Sequence, residues 1–189
     1  LKKNNNFIFN EIFFKKKNIL NKLFKKYKFK NVIHLAAQAG VRNSIKNTNK
    51  YFKDNFVSFY NIIDMSKNHK IKNFLYASSS SVYGNQKKYP TSETINTDKP
   101  LNFYAASKKS NEILASAYSS TSSMNCIGMR FFTVYGPFGR PDMSYFKFTK
   151  NIYDSKSINL YNYGKNYRDF TFVDDVAKAI YKLNLINKI

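Results

Sequence analysis

The stretch that most constrains this chain is built around Leu75 to Lys108 and reads FLYASSSSVYG (74–84), a loop, then LNFYAASKKSNEIL (101–114). The first segment is a short apolar run that breaks into four serines, Ser78 to Ser81, as a strand does when its end opens into a site. The second has an alanine-rich helical interior and carries Tyr104 and Lys108 in its first turns. A spacing of four aligns both side chains on one helical face. A lysine ammonium beside a phenol favours the phenolate. A serine hydroxyl from the strand end can then hold the substrate oxygen whose proton the tyrosine takes.

Spacing alone is not specific. Tyr83–Lys87 and Tyr161–Lys165 share it, but they run through Gly84 and Gly164, which puts them in turns where four-residue spacing does not align side chains. An exposed helix with a buried tyrosine and a solvated lysine would show the same letters as the pair at 104 and 108.

Composition sets the bounds. A chain of 189 residues can hold one domain with a core, and 43% hydrophobic with 17% aromatic residues exclude a disordered chain despite a formal charge of +21. The lone Cys126 rules out an internal disulfide, and its apolar run points to a buried strand thiol in a reducing compartment. No apolar stretch approaches the ~20 residues of a membrane span, and LKKNNNFIFN lacks the apolar segment of a signal peptide. A cytoplasmic protein with no membrane partner is expected. Lysines at 15–17 and 25–30, interleaved with Phe24, Tyr27 and Phe29, are the best candidates for phosphate contacts. Lysine is spread along the whole chain with Asn, Ile, Phe and Tyr, however, as compositional bias would spread it, so nucleic acid is not the expected partner. Only four arginines occur, Arg42, Arg130, Arg140 and Arg168. Arginine offers a planar fork that lysine cannot reproduce.

Taken in order, Phe7–Ile8–Phe9 can form a strand. Ile19, Leu20, Leu23, Phe24 and Tyr27 make the apolar face of a helix. NVIHLAAQ (31–38) reads as a buried parallel strand, with His34 in the core. Arg42 follows on a loop at its carboxyl end, where open α/β sheets bind ligands. A long helix over about 48–67 has Phe52, Phe56, Phe59 and Ile63 as its stripe, and His69 is solvated beyond it. MNCIGMRF (124–131) is a strand, 130–143 a loop broken by Gly and Pro, 144–153 a helix and 158–161 a strand. Asp174 or Asp175 caps the last helix. There are no internal repeats and no linker.

HLAAQAGVR, SSSSVYG, YAASK, RFFTVYGPFGRPDM and NYRDFTFVDDVA occur in this order and spacing in one family. Over residues 32–182 the chain resembles the extended short-chain dehydrogenase/reductases, and among them the NAD-dependent epimerases and dehydratases acting on nucleotide sugars, UDP-glucuronate epimerases above all. The resemblance implies an α/β fold, a Rossmann-like parallel sheet with flanking helices. Residues 1–142 would be a partial NAD-binding domain and 143–189 the start of the substrate lobe with a returning Rossmann segment. The six glycines, Gly40, Gly84, Gly128, Gly136, Gly139 and Gly164, do not form the glycine fingerprint of a dinucleotide fold. The resemblance begins at what would be the third strand. The chain therefore reads as an internal piece of a longer enzyme, lacking two βα units in front and most of the substrate lobe, and by itself inactive.

The same resemblance assigns roles. Ser79, Tyr104 and Lys108 would be catalytic. Leu35, Ala36, Ala37, Gln38, Asn55, Tyr104, Lys108 and Phe132 would bind NAD, with Glu11 falling near the adenine. Arg42, Ser80, Ser81, Thr133, Arg140 and Arg168 would bind the UDP-sugar, and no metal is expected. Tyr104 would take the proton of the 4-hydroxyl while C4 gives hydride to NAD, and the 4-keto sugar would turn over and be reduced on its other face. Related dehydratases and decarboxylases carry acids where this chain has Ser80 and Ser81, which favours plain 4-epimerisation of a uronic acid, UDP-glucuronate to UDP-galacturonate. A UDP-glucose-type epimerase, and from another class an inactive remnant or basic binding module, stay open. The full-length enzyme is expected to be a homodimer.

Overall fold

The computed structural model describes residues 6–86 and 88–186, and the chain divides into two compact units, residues 1–130 with 186–189, and Phe131–Leu185. In the first unit α1 (Lys17–Tyr27) leads to β1 (Asn31–His34) and α2 (Val41–Lys46). Then α3 (Thr48–Tyr51) runs through a π-helical segment, Phe52–Val57, into α4 (Ser58–Asn68). After β2 (Asn73–Ala77) come a 3₁₀ turn at Ser80–Tyr83, α5 (Phe103–Ser120) and β3 (Asn125–Met129). The strands lie in the order β1-β2-β3, all parallel, with Asn31 beside Asn73 and Asn73 beside Asn125. Parallel neighbours need crossover connections, and the helices between the strands provide them. This is the α/β, Rossmann-like arrangement expected.

β2 is the central strand, and Phe74, Leu75 and Tyr76 are buried, as an apolar run covered on both faces must be. Phe74 and Tyr76 pack with Leu20 and Phe24 of α1, Phe59, Ile62 and Ile63 of α4, and Ala115 of α5. Gly128 on β3 lies against the Tyr76 ring, where an added Cβ would come within 2.5 Å of the phenol oxygen. His34 is in the core as expected, 5.6 Å from the Phe59 ring and 6.4 Å from Phe74. Burial, helped by the charge of Lys108, pushes its imidazole down to about 4. At the start of α5 the Asn102 side chain accepts from the Ala105 amide at 2.9 Å, a cap that sets Tyr104 in the first turn.

Several local expectations are corrected. Phe7, Ile8 and Phe9 form no strand and are exposed; β propensity in a short apolar run is a preference that tertiary context overrides. β1 ends at His34 and is not buried on both faces, since Ile33 is 44% exposed. Arg42 sits in α2, not on a loop. The helix expected over 48–67 is interrupted by the π-helical segment. His69 is not simply solvated: its Nε2 lies 3.0 Å from Asn21 Oδ1 and its ring 5.4 Å from Phe24.

In the second unit β4 (Thr133–Tyr135) pairs in parallel with β5 (Phe170–Phe172), with α6 (Ser144–Tyr153) between them in sequence and α7 (Val173–Asn184) following. The Tyr135 ring packs 5.5 Å from Phe172. The loop expected at 130–143 thus contains a strand. The strand expected at 158–161 is absent, and a 3₁₀ turn, Tyr161–Gly164, stands at its end, because Asn162 and Tyr163 adopt left-handed φ of 53°. Phe172 occupies the N-cap of α7, so neither Asp174 nor Asp175 caps it. Both lie in its first turn, where carboxylates favour the helix dipole. No helix of the described residues is long and apolar enough to cross a membrane.

Candidate active site

The serines begin where β2 ends. The Ser78 amide donates to the Met129 carbonyl at 2.8 Å, carrying the strand ladder one residue further, and its hydroxyl donates to Glu112 Oε1 at 2.6 Å. Ser79 is buried and caps the 3₁₀ turn, its Oγ accepting from the Ser81 amide at 3.2 Å. That bond uses a lone pair, so the hydroxyl proton of Ser79 has no acceptor among the described residues and can be donated to a ligand oxygen. Ser80 and Ser81 are half-buried beside it.

Lys108 faces the same strand end from α5. Its Nζ donates to the Ala77 carbonyl at 2.7 Å. The side chain is 4% exposed, and burial pushes the ammonium down to about 8. An ammonium has three N–H donors, and among the described residues this one has a single acceptor. Tyr104, one turn earlier, is half-buried with its ring edge-on to Tyr51 at 6.3 Å. Its hydroxyl has no hydrogen-bond partner among the described residues. The pair at 104 and 108 is therefore not an exposed helix face: the lysine is buried and one of its donors meets the carbonyl that ends β2. Of the look-alikes, Tyr83 sits in the 3₁₀ turn while Lys87 lies outside the described residues, and Tyr161 and Lys165 are exposed in and after a 3₁₀ turn.

The backbone after β1 is held by Asn55. Its Oδ1 accepts from the Gln38 amide at 2.8 Å and its Nδ2 donates to the Gln38 carbonyl at 3.1 Å, so one side chain does what a neighbouring strand would. Nδ2 also donates to Ser107 Oγ at 3.0 Å, and that hydroxyl donates to the Tyr104 carbonyl at 2.7 Å. The Tyr51 hydroxyl lies 2.7 Å from the carbonyls of Ala39 and Gly40. Asn55 sits in the π-helical segment and is 1% exposed. Such bulges re-aim one side chain within a helix, here onto the loop beneath. Leu35 and Ala36 are left exposed and Ala37 half-buried, and the two alanines leave the backbone there open to a flat ring.

At the carboxyl ends of β1 and β2 the structure thus places two hydrogen-bonded groups: Gln38, Asn55, Ser107 and the Tyr104 carbonyl in one, and Lys108 on the Ala77 carbonyl, two residues before Ser79, in the other. Arg42 is exposed on α2. The other predicted residues belong to the second unit. Phe132 is exposed, and the Thr133 amide donates to the Asp169 carbonyl at 3.3 Å. Arg140 makes a two-pronged ion pair with Asp142, Nε to Oδ1 at 3.0 Å and Nη2 to Oδ2. Arg168 is exposed, its Nη1 donating to the Tyr167 carbonyl at 2.7 Å. Sequence reasoning passed over Glu112, Ser107 and Tyr51. Glu112 had a signal: it stands four residues beyond Lys108, as Lys108 stands beyond Tyr104.

The fit to a dinucleotide rests on Lys108. A buried ammonium with two N–H groups unmet among the described residues suits the vicinal hydroxyls of a ribose. Comparison with known proteins agrees. The sequence matches the NAD dependent epimerase/dehydratase family over residues 1–185. Protein CapI of Staphylococcus aureus is 49% identical over 178 residues, 94% of this chain and 53% of that protein. UDP-glucuronate 4-epimerase 4 of Arabidopsis thaliana is 47% identical over 165 residues, 85% of this chain and 38% of that one. Among solved structures, UDP-glucuronic acid 4-epimerase from Bacillus cereus, in complex with UDP-glucuronic acid and NAD, superposes with a TM-score of 0.81 at 32% identity, covering 90% of this chain and 54% of that one. UDP-glucose 4-epimerase of Thermotoga maritima gives 0.87 at 27% identity, covering 93% and 58%. The chain spans about half the length, or less, of these curated relatives. A family match that leaves only the last residues uncovered supports one assignment: the chain belongs to the NAD dependent epimerase/dehydratase family.

Proposed function

We propose that the protein containing this chain is an NAD-dependent nucleotide-sugar 4-epimerase whose substrate is UDP-glucuronate and whose product is UDP-galacturonate. The observation that carries the reading is Lys108, buried one helical turn from Tyr104, with two of its donors and the Tyr104 hydroxyl unpartnered among the described residues. NAD, when bound, accepts and returns the hydride of C4. Lys108 binds the cofactor ribose and places positive charge near the phenol. Tyr104 takes the 4-hydroxyl proton and later gives it back. Ser79 donates its free proton to the 4-oxygen and fixes which oxygen faces the tyrosine. The framework through Asn55 and Ser107 keeps the loop over Gln38 and the first turn of α5 in register, so that Leu35, Ala36 and Ala37 meet the cofactor. Ser80, Ser81 and Thr133 donate to the sugar carboxylate. Arg42, Arg140 and Arg168 meet the diphosphate and uronate charge.

Residues 1–142 then belong to an NAD-binding domain and 143–189 open a substrate lobe. The full-length protein is a cytoplasmic homodimer. A second reading, a UDP-glucose-type epimerase, is favoured by one observation: the fork of Arg140 already holds Asp142, which reduces its value to a substrate carboxylate. The two are separated by specificity constants of the full-length gene product for UDP-glucuronate and UDP-glucose. A charge-assisted hydrogen bond is roughly twice as strong as a neutral one, so the uronate is expected to be preferred. Faster turnover of the neutral hexose hands the site to the second reading, and no turnover of either removes both.

A further inference from the structure

Glu112 and Arg130 form a half-buried pair that no step above uses. Glu112 Oε1 accepts from Arg130 Nε at 2.9 Å and Oε2 accepts from Nη2 at 2.9 Å, the bidentate geometry in which guanidinium and carboxylate hold each other most rigidly. Oε1 also accepts from Ser78 Oγ at 2.6 Å. Arg130 also reaches the residue that ends the serine turn. Its guanidinium lies 4.9 Å over the ring of Tyr83, and Nη1 donates to the Glu93 carbonyl at 3.0 Å. Ser78 immediately precedes Ser79 and Tyr83 closes the 3₁₀ turn that holds Ser80 and Ser81, so one ion pair touches both ends of the turn.

We infer that the Glu112–Arg130 pair is a positioning device for the Ser79–Ser81 turn: it braces the turn from both ends and aims the Ser79 hydroxyl at the substrate oxygen. α5 then uses three successive turns on one face. Tyr104 moves the proton, Lys108 holds the Ala77 carbonyl and the cofactor side, and Glu112 anchors the next strand residue. Burial works to raise the Glu112 carboxyl, but the hydrogen bonds from Arg130 and Ser78 outweigh it and hold the group below its ordinary range, so the brace stays charged. Breaking such a pair leaves the remaining partner uncompensated.

The part that concerns turnover rests on the epimerase reading, so the test has one arm that does not. In the full-length gene product, Glu112→Gln keeps an acceptor for Ser78 but loses the charge, and Arg130→Lys keeps the charge but loses the fork. Hydrogen exchange is measured over residues 78–84, where the Val82 amide bonds the Ser79 carbonyl at 3.1 Å and the Gly84 amide that of Ser81 at 3.3 Å. Both variants are expected to exchange about tenfold faster there with the amides of β1 unchanged. In the kinetic arm kcat falls about tenfold while KM stays within about twofold, and Glu112→Gln adds nothing to a Ser79→Ala enzyme, because residues acting as one unit are not additive. Unchanged exchange in both variants overturns the inference. So does acceleration that extends equally to β1, or a kcat loss that adds in full to that of Ser79→Ala. Faster local exchange in a protein that turns over no UDP-sugar supports the brace and defeats the epimerase reading.

Discussion

Lys108 is held at a cost to the fold. Its ammonium titrates at about 8 when folded, against an ordinary 10.5, so between these values the unfolded chain binds more protons. Unfolding free energy therefore rises with pH across that window, and the penalty is fully present below pH 8. At about 1.4 kcal/mol per unit it amounts to roughly 3 kcal/mol. Lys108→Met also strips the Ala77 carbonyl of its donor, at about 1–3 kcal/mol, so the clean readout is the pH dependence. Relative to the parent, the variant is expected to lose up to about 3 kcal/mol of stability between pH 7 and pH 10.5, and turnover is abolished. Urea melts of both proteins at the two pH values check it, and a stability difference that does not change with pH would count against it. His34 works in the opposite part of the scale. Its folded value of about 4 lies below the ordinary 6.5, so stability is lost as pH falls through that range, and His34→Leu should flatten the acid limb of a stability–pH curve. Tyr104→Phe removes the proton acceptor and keeps the ring. Turnover is expected to fall by about 10² to 10⁴ with cofactor affinity retained, while Tyr83→Phe and Tyr161→Phe do far less. Equal losses in all three would remove Tyr104 from its role.

Among the elements, the π-helical segment between α3 and α4 does the most for the site. A regular helix from Thr48 to Asn68 would present Asn55 at a different angle, and the amide and carbonyl of Gln38 would lose the partner that satisfies both. Asn111 reinforces it: with its amide nitrogen turned toward them it donates to the Ser107 and Asn55 carbonyls at 3.2 Å. Asn55→Leu leaves two backbone groups and Ser107 Oγ without their partner. A buried group so abandoned costs about 1–3 kcal/mol. The expected outcome is a loss of stability in that range or above in a denaturant melt, and weakened NAD binding by the full-length protein in calorimetry. Unaltered NAD affinity in a folded variant would show that the loop over Gln38 keeps its shape unaided.

For the molecule as a whole, the sheet is covered unevenly. Ile33 is 44% and Leu35 51% exposed, and Phe7, Ile8, Phe9 and Phe13 are exposed as well, while β1 pairs with β2 alone among the described residues. Apolar surface beside an unpaired strand edge promotes self-association. These 189 residues expressed by themselves are expected to sediment as aggregates, and Ile33→Lys to reduce it; a monomeric wild-type chain would refute this. They contain no glycine fingerprint to receive a pyrophosphate at a helix N-terminus. Calorimetry of the 189-residue chain should accordingly show no micromolar NAD binding, whatever the full-length protein does.

The sequence by itself determined whatever depends on residues near one another in the chain. The alanine-rich run around Tyr104 and Lys108 marks a helix, and its period aligns the two side chains. The apolar run at 74–77 marks a buried strand, and the serines after it mark where it opens. These are local preferences, legible because helix period and strand burial leave periodic traces. Tertiary structure decided the rest. No local rule makes Lys108 buried rather than solvated, because its burial depends on the Ala77 carbonyl 31 residues away. Nor does one bend a helix at Asn55 to meet Gln38, or bring Arg130 onto Glu112 and Tyr83. The failed strands at 7–9 and 158–161 mark the same boundary from the other side. Apolar letters state a preference for extended backbone, but only a partner for its hydrogen bonds makes a strand.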